Sequence, residues 1–188
     1  HGKSTFADLH DWTGKIQEAT EPVLFLDVDT YCRQDLEPVW EQTGTADVAY
    51  TWRASKNRPV IGGFIAARPT DAARLFFHKW LAMATSLIMD PTRAWTQMNV
   101  RGGLNQACLS MLTGNPPDGC EVAELSPYVW NLCDEVWESF DPDACRLVHC
   151  KGELRDHVQG GKVQGEYGHF VKEWKEYLRA GVYASAGR

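Results

Sequence analysis

The chain has 188 residues, enough for one domain with a substantial core, and its 44% hydrophobic and 23% charged residues are ordinary for a folded globular protein. A net charge of −6 argues against a broad nucleic-acid-binding surface, and the longest nearly apolar run, Trp80 to Met89, is too short to span a bilayer. The six cysteines form no CxxC pair, so a zinc site is not indicated; we interpret them mostly as reduced, buried residues and expect a cytoplasmic location.

Helix and strand patterns alternate along the chain, which predicts a single α/β domain over residues 1–188. A helical pattern from Phe6 to Ala19 precedes an apolar strand at Val23–Leu26. The later predicted strands are Ala46–Trp52, Val60–Ala67, Glu121–Leu125 and Arg146–Val148. The later predicted helices are Gln34–Gln42, the segment from the N-cap Thr70 to Ile88, Leu104–Leu112, and Gly168–Ala180, which Gly181 ends. Between them the sequence predicts a basic loop at Arg53–Pro59, a loop at Asp90–Asn99 and an aromatic turn at Tyr128–Asn131.

Two aspartates directly follow the first strand. Asp27 and Asp29 are two positions apart, so they point the same way if the strand geometry continues. Two carboxylates this close are costly unless a cation lies between them, and oxygen ligands suit Mg²⁺ or Mn²⁺. The alternative is a strand that simply ends in an acidic turn. A second irregular feature is the pair Gly62-Gly63 inside a strand, which indicates either a plain bulge or the close approach of a ligand.

Several motifs, taken in order, resemble one family. They are the strand ending in Asp27-Val28-Asp29, the strand and arginine Val48–Arg53, the run Gly62–Thr70 before a helix with a central Trp80, the pair Asn105-Gln106, the turn Trp130-Asn131, and the strand leading into Val148–Gly152. This layout, from about Phe6 to Gly160, resembles the nucleotide-diphospho-sugar transferases of the GT-A fold, which are metal-dependent glycosyltransferases with a DxD motif. The resemblance implies a Rossmann-like three-layer sandwich around a mixed, mostly parallel sheet.

The resemblance also implies a set of site residues. Asp27 and Asp29 would hold the metal and the ribose, with Asp29 the more direct ligand, and His149 would be the third protein ligand. Around the donor diphosphate it places Lys151, Gly152 and Arg155, and around the donor sugar Gly62 and Gly63. The implied partners are a nucleotide-diphosphate sugar and an unknown acceptor. From the residues alone, His149 is also consistent with a purely structural role. Lys151 and Arg155 are likewise consistent with solvent-exposed residues of a loop that binds nothing.

The sequence departs from the family pattern at two places. The pair predicted to be catalytic, Asn105-Gln106, stands where relatives often have Asp-Gln near the anomeric carbon, and an asparagine can neither act as a base nor carry charge. Only about one helix precedes the aspartate pair, where the family has strands that hold the nucleobase. We therefore predict an N-terminally abbreviated fold whose first strand is an exposed edge, and either a homo-oligomer or a fragment of a longer parent.

Two other functions compete with the transferase interpretation. One is a phosphatase of the haloacid dehalogenase type, with Asp27 as nucleophile and Asp29 as general acid, although Tyr31 stands where that motif usually carries threonine. The other is a non-catalytic sugar- or nucleotide-binding module, which the neutral Asn105 favours.

Overall fold

The computed structural model describes residues 2–52, 59–94, 96 and 103–186, with the backbone alone at 2–7 and 180–186. The helices described are α1 (Gly2–Glu18), α2 (Val39–Gln42), α3 (Asp71–Met89), α4 (Leu104–Gly114), α5 (Pro127–Trp130), α6 (Gly152–Gly160) and α7 (Gly168–Ala186), with a 3-10 helix at Asp134–Ser139. The strands described are β1 (Val23–Leu26), β2 (Thr30–Cys32), β3 (Val48–Trp52), β4 (Val60–Ala67), β5 (Val122–Leu125) and β6 (Leu147–His149).

A mixed sheet of four strands, in the order β1-β4-β3-β5, forms the centre of the fold. β4 runs antiparallel to both β1 and β3, whereas β3 and β5 are parallel, so three of these four strands share one direction. This confirms the predicted α/β fold with a mixed sheet that contains parallel strands. Of the three ladders between these strands, however, two are antiparallel and one is parallel. Within the described residues β1 lies at the edge of this sheet, as predicted.

The first face of the sheet is covered by α1, α3 and α4. Apolar residues of these helices pack against Phe25, and the Phe25 ring lies 5.0 Å from Phe77 and 5.3 Å from Trp12, measured between ring centroids. Thr70 begins α3 as predicted, because its hydroxyl oxygen accepts a hydrogen bond from the backbone N–H of Ala73. The wide apolar stripe of α3 is therefore core, as its periodicity indicates.

The second face of the sheet carries a smaller layer built from α2, α5 and β6. Its apolar residues include Phe64 from the sheet and Trp130 from α5, whose rings lie 5.7 Å apart. The indole N–H of Trp130 donates to Oε1 of Gln42 at the end of α2. With helices on one face and this layer on the other, the sheet is the middle of the three-layer sandwich that was predicted.

A second sheet connects the C-terminal third of the chain to the aspartate strand. β2 and β6 pair antiparallel, and behind them the 3-10 helix, α6 and α7 enclose their own apolar cluster, which includes Tyr31 and Phe170. Arg33 fastens α7 to this sheet through a bidentate pair with Glu173, at 2.8 and 3.0 Å. The sequence patterns predicted β6, as a strand at Arg146–Val148, but they predicted neither β2, nor its pairing with β6, nor α6.

Several predicted boundaries were wrong. The last helix does not end at Gly181, and Tyr177 and Leu178, expected to be buried, are 55% and 48% exposed. Residues 91–94 are helical rather than a loop, and the short helix expected from Gln34 is confined to Val39–Gln42. Most of the predicted basic loop falls on residues 53–58, outside the described part of the chain. Within the described residues, no helix combines the length and apolar character needed to cross a lipid bilayer.

Candidate metal and donor site

A tight turn, and not strand alternation, brings the two aspartates together. β1 ends at Leu26, and the backbone N–H and hydroxyl of Thr30 both donate to the carbonyl of Asp27, at 3.1 and 2.8 Å. The intervening Val28 is fully exposed, so the turn leaves it outside while Asp27 and Asp29 face inward. The prediction that both carboxylates point the same way holds, but its physical reason was wrong.

The second sheet delivers His149 to this turn. β2 begins where the turn ends, and its first residue, Thr30, pairs with His149 at the end of β6. The backbone N–H of Cys150 then donates to the carbonyl of Asp29, at 2.8 Å. As a result, Nε2 of His149 lies 3.2 Å from a carboxylate oxygen of Asp29 and 3.7 Å from one of Asp27. The structure thus brings together the three predicted metal ligands, called here the Asp–Asp–His group.

A β-bulge in β4 forms the floor beneath this group. The register between β3 and β4 shifts between Tyr50 and Thr51, so part of β4 bulges out of its ladder with β3. At the bulge the Gly63 carbonyl accepts from the N–H of Asp27, at 3.1 Å. Gly63 has φ +102°, and a Cβ there would lie 2.5 Å from two atoms of the His149 ring. The bulge interpretation of this segment is correct, and the close approach at Gly63 is that of the histidine.

The two carboxyl groups have pKa values shifted in opposite directions. Burial raises the pKa of Asp27; the His149 ring opposes this shift, and the charge of Asp29 adds to it. Burial also works against ionisation of Asp29, but hydrogen bonds and charge from His149 and Arg155 outweigh it and lower the pKa of Asp29 to about 2. The Arg155 guanidinium lies 2.5 Å from Oδ2 of Asp29. The site therefore keeps Asp29 ionised far below neutral pH.

These opposite shifts predict opposite pH dependences of stability. The folded pKa of Asp29 lies below its ordinary value of 3.8, so ionised Asp29 stabilises the fold fully above about pH 4 and loses that contribution as the pH falls toward about 2. We expect Asp29→Asn to lower the free energy of unfolding at pH 6 and the deficit to shrink below pH 4. For Asp27, with its raised pKa, neutralisation by Asp27→Asn should not destabilise the fold at pH 6. Chemical denaturation of both variants at several pH values measures this, and equal deficits for both would contradict it.

Two of the predicted donor-binding residues present cations beside this group. Arg155, on α6, is 46% exposed and also donates from Nε to the carbonyl of Cys150. The Lys151 ammonium lies 3.4 Å from a carboxylate oxygen of Glu135. Both side chains are thus held next to carboxylates, and their role toward a donor diphosphate stays a prediction.

Gly152, the third residue predicted to lie around the donor diphosphate, is required by the local structure. Its φ is +53°, and a Cβ there would overlap the carboxylate of Asp134. That carboxylate accepts from the N–H of Glu153, at 2.9 Å, and so caps α6 from a different element, while the N-cap Lys151 makes no side-chain cap. Asp134 is a residue that the sequence patterns did not single out for this position.

The cap predicts a measurable stability loss. Asp134→Ala should lower the free energy of unfolding by about 1 kcal/mol, because the first turn of α6 loses the acceptor of a backbone N–H. Asp156→Ala on the same helix is the matched control, since Asp156 is exposed and not at the cap. Urea denaturation of both variants measures the difference. Equal stabilities would show that the Asp134 carboxylate is not an effective cap.

The predicted pair Asn105-Gln106 fastens α4 to its neighbours. The Gln106 amide donates to the carbonyl of Val60 at 2.7 Å, and the Trp80 indole N–H donates to the carbonyl of Asn105 at 3.1 Å. The first bond ties α4 to the start of β4 and the second ties it to α3. These contacts give both residues a structural role, and their role toward a donor sugar stays a prediction.

The geometry of the Asp–Asp–His group fits a divalent cation. One ligand atom from each residue can be chosen so that all lie within 4.8 Å of one another, close enough to surround a single ion. Carboxylate oxygens and an imidazole nitrogen are ligands that Mn²⁺ accepts, and oxygen ligands suit Mg²⁺. The side chains of Asp27 and Asp29 are 39% and 28% exposed, so both carboxylates are partly accessible to further ligands.

Two solved structures with a similar fold are glycosyltransferases. One is the crystal structure of a glycosyltransferase involved in the glycosylation of the major capsid of PBCV-1, with 12% identity and a TM-score of 0.56 over 83% of this chain and 72% of that chain. Another is the glycosyltransferase GlyE from Streptococcus pneumoniae TIGR4, with 16% identity and a TM-score of 0.50 over 85% of this chain and 44% of that chain. At these identities the likeness shows the fold alone. No protein-family model matches the sequence, and the comparison with curated proteins gave no match.

Proposed function

We propose that this protein is a metal-dependent glycosyltransferase of the GT-A type, transferring a sugar from a nucleotide-diphosphate donor to an acceptor. The observation that carries the proposal is the convergence of Asp27, Asp29 and His149 beside an edge strand of a fold that solved glycosyltransferases share. Fold likeness by itself does not assign a reaction, so the weight rests on this group of side chains. Its members come from two elements that are far apart in the sequence.

The proposed chemistry uses each part of the site. A bound Mn²⁺ or Mg²⁺ would neutralise the charge that develops on the diphosphate as the sugar leaves. Asp29 would hold the ion directly, with His149 as a second ligand and Asp27 shared between the ion and the ribose. Asp29 suits the direct role because its pKa, about 2, keeps it ionised across the physiological range.

The donor would lie across the open face of the group. Arg155 and Lys151 would exchange carboxylate partners for phosphate oxygens, and Gly152 would allow the backbone to approach them. A Cβ at Gly62 would meet no described atom within 4 Å, which leaves room for a sugar near the bulge. In this proposal Gly63 borders the same space, and Asn105 and Gln106 approach the sugar from α4.

A thermal-shift panel of nucleotide diphosphates, each with and without Mn²⁺, tests this function. A ligand that binds only the folded state raises the melting temperature, by an amount that follows its concentration over its Kd. We expect one nucleotide diphosphate to raise it only when Mn²⁺ is present. Release of nucleotide diphosphate from the matching sugar donor would then establish catalysis rather than binding alone. No shift with any nucleotide, with or without Mn²⁺, would contradict the proposal.

The same protein preparation distinguishes the competing functions. A phosphatase would hydrolyse an aryl phosphate and form a trapped aspartyl-phosphate on Asp27, neither of which a transferase should do. A binding module would show the Mn²⁺-dependent shift but no turnover of the donor.

We also propose that the outer edge of β1 pairs with a second copy or with another part of a longer parent protein. Within the described residues β1 has a strand partner on one side only, and open strand edges favour pairing. The proposal includes a reducing cytoplasm, where five buried cysteines, Cys108, Cys120, Cys133, Cys145 and Cys150, would persist as thiols. Light scattering measures the molar mass in solution and so tests for a second copy. If the protein is a monomer, pairing with another part of a longer parent protein is the remaining alternative.

A further inference from the structure

We infer that Asn131 is a positioning residue that sets the tautomer and orientation of His149. It holds the ring so that Nε2, and not Nδ1, faces Asp27 and Asp29. The inference rests on the proposed function, because the orientation matters for presenting a metal ligand. It concerns a residue outside the Asp–Asp–His group itself.

The orientation of the Asn131 amide is determined by its surroundings. The side chain is fully buried, and the two protons of its NH₂ group face three acceptors, which are the carbonyl of Gly62 at 2.8 Å, the Thr51 hydroxyl oxygen at 2.8 Å and, more distantly, the carbonyl of Ile61 at 3.2 Å. The Thr51 hydroxyl donates its own proton to the carbonyl of Ile61. The reversed amide would place its oxygen against two carbonyl oxygens, which only accept hydrogen bonds. The NH₂ group must therefore face the bulge.

The amide oxygen then determines which nitrogen of His149 carries the proton. Oδ1 of Asn131 lies 3.1 Å from Nδ1 of His149, and an amide oxygen can only accept. Nδ1 must therefore be the donor, and in the neutral ring this leaves the lone pair on Nε2. Nε2 is the atom that faces the carboxylates of Asp27 and Asp29, at 3.7 and 3.2 Å. This is the outer partner that metal-binding histidines typically have.

The ring is also fixed from a second direction. The backbone of Gly63 packs so closely against it that a Cβ would come within 2.5 Å of Cε1 and Nδ1. His149 is only 7% exposed, so rotation of the ring would require either this glycine or the Asn131 amide to move. The Asn131 amide contacts both the bulge of β4 and His149. The orientation of the His149 ring therefore depends on the register of β4.

A variant of Asn131 and a control at Thr51 separate the loss of the contact with His149 from a purely structural effect. Asn131→Leu removes every polar contact of the side chain, to His149 and to the bulge. Thr51→Val removes a hydrogen bond of the same amide but no contact with His149, and it is the control. We expect Asn131→Leu to weaken Mn²⁺ binding by roughly 10- to 100-fold, and Thr51→Val to change it far less. Isothermal titration of each variant with Mn²⁺ measures this, and Mn²⁺ binding by Asn131→Leu as tight as in wild type would overturn the inference.

The tautomer can be measured without any metal. ¹⁵N NMR of the imidazole nitrogens, with the His149 signals assigned by their loss in His149→Gln, should show a proton on Nδ1 in the folded protein, whatever the charge of the ring. A ring without a proton on Nδ1 would overturn the inference even if Asn131→Leu does not fold. If wild-type protein fails to bind Mn²⁺, the proposed function is wrong, yet the tautomer still decides whether Asn131 sets the orientation of His149.

Discussion

Gly63→Ala should remove the Mn²⁺-dependent stabilisation of the protein and destabilise the fold by about 1–3 kcal/mol. Two physical effects act in the same direction. At φ +102° an alanine is strained, and its Cβ would lie 2.5 Å from the His149 ring, so the ring has to move away from the two aspartates. A displaced ligand weakens metal binding even where the chain still folds. Thermal unfolding with and without Mn²⁺ measures both effects.

The neighbouring glycine provides the matched control. Gly62→Ala adds the same methyl group one residue earlier, where no described atom lies within 4 Å and the φ is not in the left-handed range. We expect it to leave both stability and the Mn²⁺ shift close to wild type, because the added side chain meets open space and restricts the unfolded chain. If the two alanine variants behaved alike, the close packing of Gly63 against His149 would not be what positions the ligand.

Asp29→Asn should weaken Mn²⁺ binding and donor turnover by about 100-fold or more. Loss of a hydrogen-bond partner of a metal ligand typically lowers metal affinity by about 10- to 100-fold, and loss of the ligand itself should have a larger effect. Asparagine keeps the shape of the side chain but has one oxygen and no charge. The substitution also removes the partner of Arg155, which lies 2.5 Å from the Asp29 carboxylate. Isothermal titration with Mn²⁺ and release of nucleotide diphosphate from the donor measure the two losses.

A substitution within the same turn separates chemistry from local structure. Val28 lies between the two aspartates and is fully exposed, so Val28→Ser changes the turn without changing a ligand. It should bind Mn²⁺ and turn over the donor like wild type. Wild-type activity in Asp29→Asn, or an equal loss in Val28→Ser, would each argue against Asp29 as the direct ligand.

The sequence patterns predicted most of the central sheet because its strands carry strong local signals. Val60–Ala67 was predicted with its observed bounds, and the apolar run Val23–Leu26 forms β1. The separate signals at Asp27, Asp29 and His149 could be combined only through resemblance to a family layout. No local property of His149 indicates that it pairs with Thr30, the first residue of β2.

What the patterns missed depends on tertiary pairing. β2 has three residues, too few for a periodic signal, and it becomes a strand by pairing with β6, which was predicted as a strand at Arg146–Val148. Asn131 and Asp134 act on parts of the chain that are distant in sequence. Asn131 binds the bulge of β4, and Asp134 caps the N-terminus of α6. Gly181 lies within α7, because one glycine in a helix costs about 1 kcal/mol and does not by itself end the helix.

A crystal grown with Mn²⁺ and measured at the manganese absorption edge tests most directly whether the three side chains share one ion. We expect a single strong anomalous peak within bonding distance of a carboxylate oxygen of Asp27, a carboxylate oxygen of Asp29 and Nε2 of His149. A well-ordered site with no peak there at saturating Mn²⁺, or with the strongest peak on other residues, would contradict the proposed metal centre.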